Sequence, residues 1–219
     1  MTIALRLDAY DLPYSLCYFE YPEIKNIGED PKRAGIVHRL DQPVSGVMVV
    51  ARTQDFYSYV KAQFRDRKVR KKYLALVLGE VKEDSGEISF PIARSCSKKT
   101  RRVARPMGQA GDEALTQFRV VKRYHHYTLL EIIILTGRTH QIRVHMKAVG
   151  HPIVGDRKYQ GKIKEKDPLN RVFLHASELG FVDLRGNEQK YQSPLPKDLK
   201  DYLKTLKEIV AKSVFRDSP

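Results

Sequence analysis

The apolar residues of this chain fall into short runs, and that length limits what the chain can fold into. Runs of five to eleven residues, each closed by glycine or polar residues, have the length of single β-strands. They predict five strands, over residues 46–51, 71–80, 88–92, 114–124 and 127–135. The last two are expected to pair, with the turn at His125-His126. No run approaches the roughly 18–20 apolar residues that a membrane-spanning helix needs.

Three other segments show the spacing of an amphipathic helix: residues 55–65, residues 140–149 and the C-terminal region. In the second, Thr139 is expected to cap the N-terminus and Gly150 to end the helix. Its predicted apolar face consists of Ile142, His145, Met146 and Val149, opposite a polar face of His140, Arg143 and Lys147. The C-terminal helix would bury Leu199, Leu203, Leu206 and Val210. Because strands dominate and no regular βαβ repetition is found, the sequence predicts an α+β fold.

Charge indicates the kind of partner. Lys and Arg number 40 against 26 Asp and Glu, which gives a net charge of +14 at pH 7. An excess of this size favours binding to a polyanion. The densest basic stretch, residues 94–113, has glycine and proline but no periodicity, so it is expected to be a loop or ribbon.

Cysteine content and the N-terminal residues indicate the compartment. Cys17 and Cys96 are too few for a disulfide framework or a four-cysteine zinc site. The start "MTIALRLDAYDLPYSL" lacks the pattern of a signal peptide, since charged residues interrupt its short apolar stretch. The sequence predicts a soluble cytoplasmic protein with reduced thiols.

Four segments contain residues suited to chemistry: "HRLD" at 38–41, Tyr73, "GRTHQIRVH" at 137–145 and "GDRKY" at 155–159. A metal-dependent hydrolase is disfavoured because His140 and His145 are five residues apart, whereas a helical HExxH zinc site places its histidines four apart. Ser45 is not in a G-x-S-x-G elbow, and no phosphate-binding glycine loop is present.

After these exclusions, the remaining candidate is one carboxylate, Asp41, with arginines nearby. Arg143, on the polar face of its predicted helix, is the candidate partner for Asp41, since a guanidinium favours the charged form of a carboxyl group. The alternative is that the two residues never meet and that each is solvated, as most charged side chains are.

The order of the motifs resembles that of the RluA-type pseudouridine synthases. The segments "HRLDQPVSGVMVVART", "KKYLALVLG", "LTGRTHQIRVHMKAVGHPIVGDRKY" and "FLHASELGF" occur in sequence, and the similarity runs from about Gly35 to Phe181. The resemblance implies a mixed, mainly antiparallel sheet with a central cleft. It also implies an enzyme that detaches a uracil base from its ribose, turns it and reattaches it through carbon 5, without a cofactor or metal.

The resemblance assigns a role to four residues. Asp41 matches the catalytic aspartate, which acts either as nucleophile on the anomeric carbon or as base at the neighbouring position. Tyr73 matches the tyrosine that stacks on the base and is placed to help remove the carbon-5 proton; the alternative is a strand aromatic in the core. Arg143 matches the arginine paired with the aspartate, and Arg39 the residue that fills the gap left by the extruded nucleotide. His38, Ser45, Gly46, Gly137 and Gly155 also match, as turn and scaffold positions.

The basic stretch fits an RNA substrate, because extracting a base from its stack costs a few kcal/mol that phosphate contacts help to offset. A solvated loop is the alternative. The residues expected to contact the RNA backbone are Arg94, Lys98, Lys99, Arg101, Arg102 and Arg105.

Two departures from the family pattern are visible. Gln42, Pro43 and Val44 replace a more polar segment, and residues 1–34 lack the V-x-K-P-x-G segment that normally supplies a core strand. Either another strand takes its place or the sheet is one strand short. We therefore expect an atypical segment, 1–34, and a single catalytic domain, 35–219, with no S4 domain and no obligate protein partner. The predicted function is isomerisation of uridines in ribosomal or transfer RNA; the alternative is a catalytically impaired RNA-binding or ribosome-assembly protein on the same scaffold.

Overall fold

A computed structural model describes the backbone of residues 2–7 and all atoms of residues 21–96, 100–161 and 169–209. The strands are β1 (Thr2–Leu7), β2 (Ser45–Ala51), β3 (Arg70–Leu78), β4 (Ser85–Ile88), β5 (Ile92–Arg94), β6 (Arg102–Ala104), β7 (Thr116–Tyr124), β8 (Tyr127–Ile134), β9 (Leu174–Val182) and β10 (Glu188–Gln192). The α-helices are α1 (Gln54–Arg65), α2 (Gln141–Ala148) and α3 (Lys197–Lys204). Short 3-10 helices cover Pro22–Asn26 and Pro31–Arg33.

Eight of the strands described form one sheet in the order β1-β2-β9-β3-β8-β7-β4, with β10 also paired to β9. All pairs are antiparallel except β2 with β9, which run parallel over two residue pairs, Ser45 with His175 and Gly46 with Ala176. Strands β5 and β6 make a separate two-stranded ribbon. The predicted α+β class and the mixed, mainly antiparallel sheet are confirmed.

The N-terminal region contributes a strand beside β2. Strand β1 pairs antiparallel along the whole of β2, from Thr2 opposite Ala51 to Leu7 opposite Gly46. The 3-10 helix that follows in the described chain buries Ile24 completely against Met48 and Val50 of β2. Of the two alternatives for residues 1–34, the structure therefore has the one in which another strand takes the place of the missing segment.

The helices pack on the sheet through the apolar positions that the sequence spacing indicates. Helix α1 buries Phe56 and Val60 against β2, and Thr53 caps it by accepting a hydrogen bond from the backbone N–H of Phe56. Helix α2 buries Ile142 and Met146 in the same cluster as Leu76 of β3. Burial of such side chains is the main favourable term in folding. The predicted strands 46–51, 71–80, 114–124 and 127–135 and helix 55–65 are confirmed to within one or two residues.

The strand predicted over 88–92 is wrong. Ile88 is the last residue of β4 and Ile92 the first of β5, and the chain between them contains Pro91, which has no N–H for a strand ladder. Both isoleucines are buried, but in different clusters: Ile88 with the main core and Ile92 with Val144 and Tyr159. The segment 88–92 therefore looks like one strand in the sequence because its two isoleucines are buried in two separate cores.

Helix α2 differs from its prediction at both ends. Thr139 is not the N-cap; the flanking residue is His140, in the left-handed conformation at φ 58° and ψ 22°, and its side chain does not cap. The side-chain oxygen of Gln141 instead accepts the N–H of Arg138 at 3.0 Å. Gly150 ends the helix at φ +89°, as expected, but Val149 is 38% exposed and does not belong to the apolar face.

The C-terminal helix, α3, ends at Lys204. Leu199 is fully buried and Leu203 and Leu206 pack against the main core, while Val210 lies outside the described residues. The longest helix in the described ranges has 12 residues, and none of these helices has both the length and the apolar character to cross a membrane.

We predict that Gly46→Ala destabilises the protein by about 3 kcal/mol or more. Gly46 has φ +135°, and a Cβ there would lie 2.3 Å from the carbonyl oxygen of Ala176, so the parallel pairing would be forced apart. Urea denaturation measures the change. Gly108→Ala is the control, because Gly108 has φ +84° with nothing within 4 Å of an added Cβ; it should lose only about 1 kcal/mol. Equal losses in the two variants would contradict the steric argument.

Candidate active site

A cleft of about 230 Å³ opens between the central strands and the N-terminal end of α2. Its wall is formed by the loop before β2, the end of α1, strand β3 and the segment that leads into α2. The lining residues are His38, Arg39, Leu40, Asp41, Val44, Phe64, Lys71, Tyr73, Ile134, Gly137, Arg138, His140, Gln141, Ile142, Arg143 and Leu174. Three of the four segments singled out in the sequence thus meet here.

Asp41 lies in a turn just before β2, closed by a hydrogen bond from the N–H of Val44 to the Asp41 carbonyl at 2.9 Å. Its side chain is 18% exposed. One carboxylate oxygen, Oδ2, is 3.4 Å from Nη1 of Arg143 and 3.9 Å from Nε2 of His140. The predicted meeting of Asp41 with Arg143 is confirmed, and the alternative of two solvated residues is wrong.

A second acid, Asp156, holds Arg143. Its two oxygens accept hydrogen bonds from Nε and Nη2 of Arg143 at 2.6 and 2.7 Å, and both side chains are buried. Burial acts to lower the pKa of Arg143, but the hydrogen bonds and charge of Asp156 outweigh it, so the pKa is raised. Asp156 is in the segment "GDRKY", yet its role was not predicted, because an Asp after a glycine is an ordinary turn pattern. Of the predicted polar face of α2, Lys147 is exposed as expected, but Arg143 is buried.

Tyr73 and Lys71 are two residues apart on β3 and both line the cleft. Burial raises the pKa of the Tyr73 phenol, and the negative charge of Asp41 raises it further. Burial lowers the pKa of Lys71 to about 8, with a smaller contribution from the nearby charge of Arg67. Lys71 is 7% exposed and contacts the carbonyl of Thr136 at 3.4 Å. Neither Lys71 nor its shifted pKa was expected from the sequence.

His38 and Ser45 support the cleft from within, as predicted for scaffold positions. Nε2 of His38 accepts the N–H of Val49 at 3.0 Å, and its ring stacks on Phe64 at 4.7 Å. Burial, with the charge of Lys71, lowers the pKa of His38 to about 3, which suits an acceptor. Ser45 is fully buried and bonded to His175 and Arg171.

Of the predicted RNA-contacting residues, Arg39 lines the cleft, whereas the described ones of the basic stretch do not. Arg39 is exposed at its rim. Strands β5 and β6 form the basic ribbon, with Arg94 exposed at the end of β5 and Arg101, Arg102 and Arg105 half-buried in and beside β6. Lys98 and Lys99 lie outside the described residues. The ribbon packs on α2 and the turn after Asp156 through Ile92, Val144 and Tyr159.

Across the side chains that the structure describes, no three His, Cys, Asp or Glu residues are grouped so that they could hold a metal ion.

These observations together define a class: an α+β domain whose cleft holds an arginine-bound carboxylate beside a cationic ribbon. The model of a family described as RNA pseudouridylate synthase matches residues 18–148. This chain is 42% identical over 189 residues, 86% of its length, to an uncharacterized RNA pseudouridine synthase of Chloroflexus aurantiacus. It is 34% identical over 201 residues, also 86% of its length, to ribosomal large subunit pseudouridine synthase D of Haemophilus influenzae. The chain belongs to the RNA pseudouridylate synthase family, and the RluA-type resemblance is confirmed.

A solved structure of the same family has a similar fold. Human RNA pseudouridylate synthase domain containing 1 superposes with a TM-score of 0.78 at 25% identity, covering 97% of this chain and 87% of that one. The chain spans 58% and 60% of the lengths of the two relatives named above. The family match begins at residue 18, inside the segment 1–34, so the boundary at residue 35 stays a prediction.

We predict that Asp156→Asn and Asp41→Asn differ sharply in stability. Asp156→Asn leaves the buried Arg143 without its main counter-charge and should lower the free energy of unfolding by about 3–5 kcal/mol. Asp41→Asn leaves Arg143 bound to Asp156 and should cost less than about 1 kcal/mol. Urea denaturation of the two variants measures this difference. A large loss for Asp41→Asn would mean that Asp41, and not Asp156, holds the guanidinium.

The lowered pKa of Lys71 predicts a pH dependence of stability. Its pKa falls from 10.5 to about 8 on folding, so between these values the unfolded chain binds more protons and stability rises with pH. Lys71→Met removes the buried ammonium, so it should be more stable than the natural protein at pH 7. This difference in the free energy of unfolding should be about 1.5 kcal/mol smaller at pH 9. Denaturation at both pH values tests this. The exposed Lys68→Met is the control and should show no such change; a constant Lys71→Met difference would rule out a buried, destabilised ammonium.

Proposed function

We propose that this protein is an RNA pseudouridine synthase and that Asp41 is its catalytic carboxylate. The observation that carries the proposal is the position of Asp41, in the cleft of a chain of this family, against a guanidinium held in place by Asp156. Uridine in ribosomal RNA is the first candidate substrate, because relatives that are 34–36% identical to this chain over 201–203 aligned residues are named for the large ribosomal subunit. Transfer RNA is the second.

The reaction exchanges one bond for another at the ribose. The bond from the anomeric carbon to N1 of uracil breaks, the base turns, and a bond from the anomeric carbon to carbon 5 forms; carbon 5 loses a proton and N1 gains one. Asp41 acts either as nucleophile at the anomeric carbon or as base at the neighbouring carbon. Arg143 stabilises the carboxylate in both cases.

Tyr73 contributes its ring face to the base. Burial and the charge of Asp41 raise the pKa of the phenol, so help from Tyr73 in removing the carbon-5 proton requires the bound substrate to polarise this environment. Arg39, exposed at the rim, fills the space left by the extruded nucleotide, since a planar guanidinium stacks on bases.

The basic ribbon holds the RNA backbone. The ribbon packs against α2 and contains Arg94, Arg101, Arg102 and Arg105 in and beside its strands. Phosphate contacts there help to offset the cost of unstacking a base.

We further propose that residues 35–219 form the catalytic unit, with β1 completing its sheet. The protein is proposed to act in the cytoplasm, where ribosomal and transfer RNA are found.

The test is tritium release from ribosomal and transfer RNA labelled at carbon 5 of uridine. We expect release by the natural protein and at least about a thousandfold less by Asp41→Asn, since a catalytic group of this kind contributes 10³-fold or more. Both proteins should bind RNA equally in a filter assay, because the change leaves the ribbon untouched.

Two outcomes would count against the proposal. Release that survives Asp41→Asn would remove the role given to this carboxylate. RNA binding without release by the natural protein would favour the alternative, an RNA-binding or ribosome-assembly protein on the same scaffold.

A further inference from the structure

Tyr159 joins the basic ribbon to the cleft through a single oxygen atom. The residue is 3% exposed and follows Asp156 by three positions. Its phenol oxygen lies 3.0 Å from the backbone nitrogen of Arg102 on β6 and 2.7 Å from Nδ1 of His140. The ribbon and the residue that precedes α2 thus contact the same hydroxyl group.

The chemistry of the three partners assigns the hydrogens. A backbone N–H can only donate, so the phenol oxygen accepts from Arg102. Nδ1 of His140 is the other polar atom within hydrogen-bond distance of this oxygen in the described residues, so donation of the phenol hydrogen to Nδ1 satisfies both buried groups. Burial lowers the pKa of His140, and the charges of Arg143 and Lys158 also lower it against the opposing effect of Asp41 and Asp156. A neutral ring that accepts at Nδ1 has its own hydrogen on Nε2.

The other ring nitrogen, Nε2, is near the proposed catalytic carboxylate. Nε2 of His140 is 3.9 Å from Oδ2 of Asp41, about an ångström longer than a hydrogen bond. The backbone of His140 is in the left-handed region, which a residue other than glycine adopts at some cost and which the surrounding contacts must maintain. The ring of Tyr159 also supports Arg143, whose guanidinium carbon lies 5.1 Å from the ring centroid.

We propose that Tyr159 is a positioning residue: it uses the docked ribbon to hold His140 with its Nε2–H toward Asp41. The ribbon N–H orients the phenol, the phenol sets the tautomer of His140, and the tautomer places a donor beside the carboxylate. If the ribbon moves away, the phenol loses that donor and Nδ1 can keep the hydrogen instead. RNA capture by the ribbon is thereby coupled to the geometry around Asp41. This inference rests on the proposed function for its consequence in catalysis, though not for the geometry.

The first test examines the natural protein. Nitrogen-15 spectra of histidine-labelled protein distinguish the two neutral tautomers, and the signal that disappears in His140→Gln identifies the residue. We expect the Nε2–H tautomer for His140 in the natural protein. The Nδ1–H tautomer would overturn the proposal.

The second test is Tyr159→Phe, which keeps the ring over Arg143 and removes both hydrogen bonds. We expect kcat for tritium release to fall about tenfold with KM for RNA within about twofold, because His140 loses the hydrogen bond from the phenol that orients it toward Asp41. The His140 spectrum should also lose its single tautomer. Tyr124→Phe, at a buried tyrosine of the β7–β8 hairpin, is the matched control and should change neither.

The outcomes separate the two proposals. No tritium release by the natural protein would defeat the proposed function, while the His140 spectrum would still decide the inference. Release that is equal in the natural protein and Tyr159→Phe would overturn the positioning role alone, and so would a change confined to KM. If circular dichroism shows that Tyr159→Phe does not fold, the tautomer in the natural protein decides.

Discussion

The buried ion pair between Arg143 and Asp156 is the contact on which the cleft depends. A guanidinium removed from water requires a counter-charge with close to ideal geometry, and Asp156 supplies two short hydrogen bonds. The same carboxylate accepts the backbone N–H groups of Lys158 and Tyr159, so it ties α2 to the turn after Gly155. Arg143 contacts Asp41 through its third nitrogen, Nη1. The position of Arg143 is therefore set by Asp156 and not by Asp41.

Burial disfavours the charged form of the titratable groups around that pair. It lowers the pKa of His38, Lys71 and His140 and raises that of Tyr73, so each is displaced toward its neutral form. Asp41 and Arg143 form an ion pair in the wall of the cleft, and Lys71, with a pKa of about 8, is still mostly protonated at neutral pH. In a site of low dielectric constant, these charges interact more strongly with a developing charge than they would in water.

Local pattern predicted four of the ten described strands and the three α-helices, because strand and helix periodicity are properties of short segments, and it made Arg143 the candidate partner of Asp41. The role of Asp156 and the His140–Tyr159 contact could not be predicted, since each arises from packing between segments that periodicity does not relate. Thr139 was the expected cap by residue type, but tertiary contacts place His140 at that boundary in a left-handed conformation. The false strand at 88–92 has the same origin: Ile88 and Ile92 serve two cores.

The parallel contact between β2 and β9 has a consequence for how the chain folds. Ser45 and His175 are bonded across 130 positions, and Asp41 and Arg143 across 102. Closing loops of this length costs entropy before any contact repays it, so folding is slow compared with that of a helical bundle of equal size. A nascent chain that still lacks β9 has no strand to join β2 to β3 and lacks Leu174 in the wall of the cleft, so the sheet that supports the cleft is complete only after residue 182 has been synthesised.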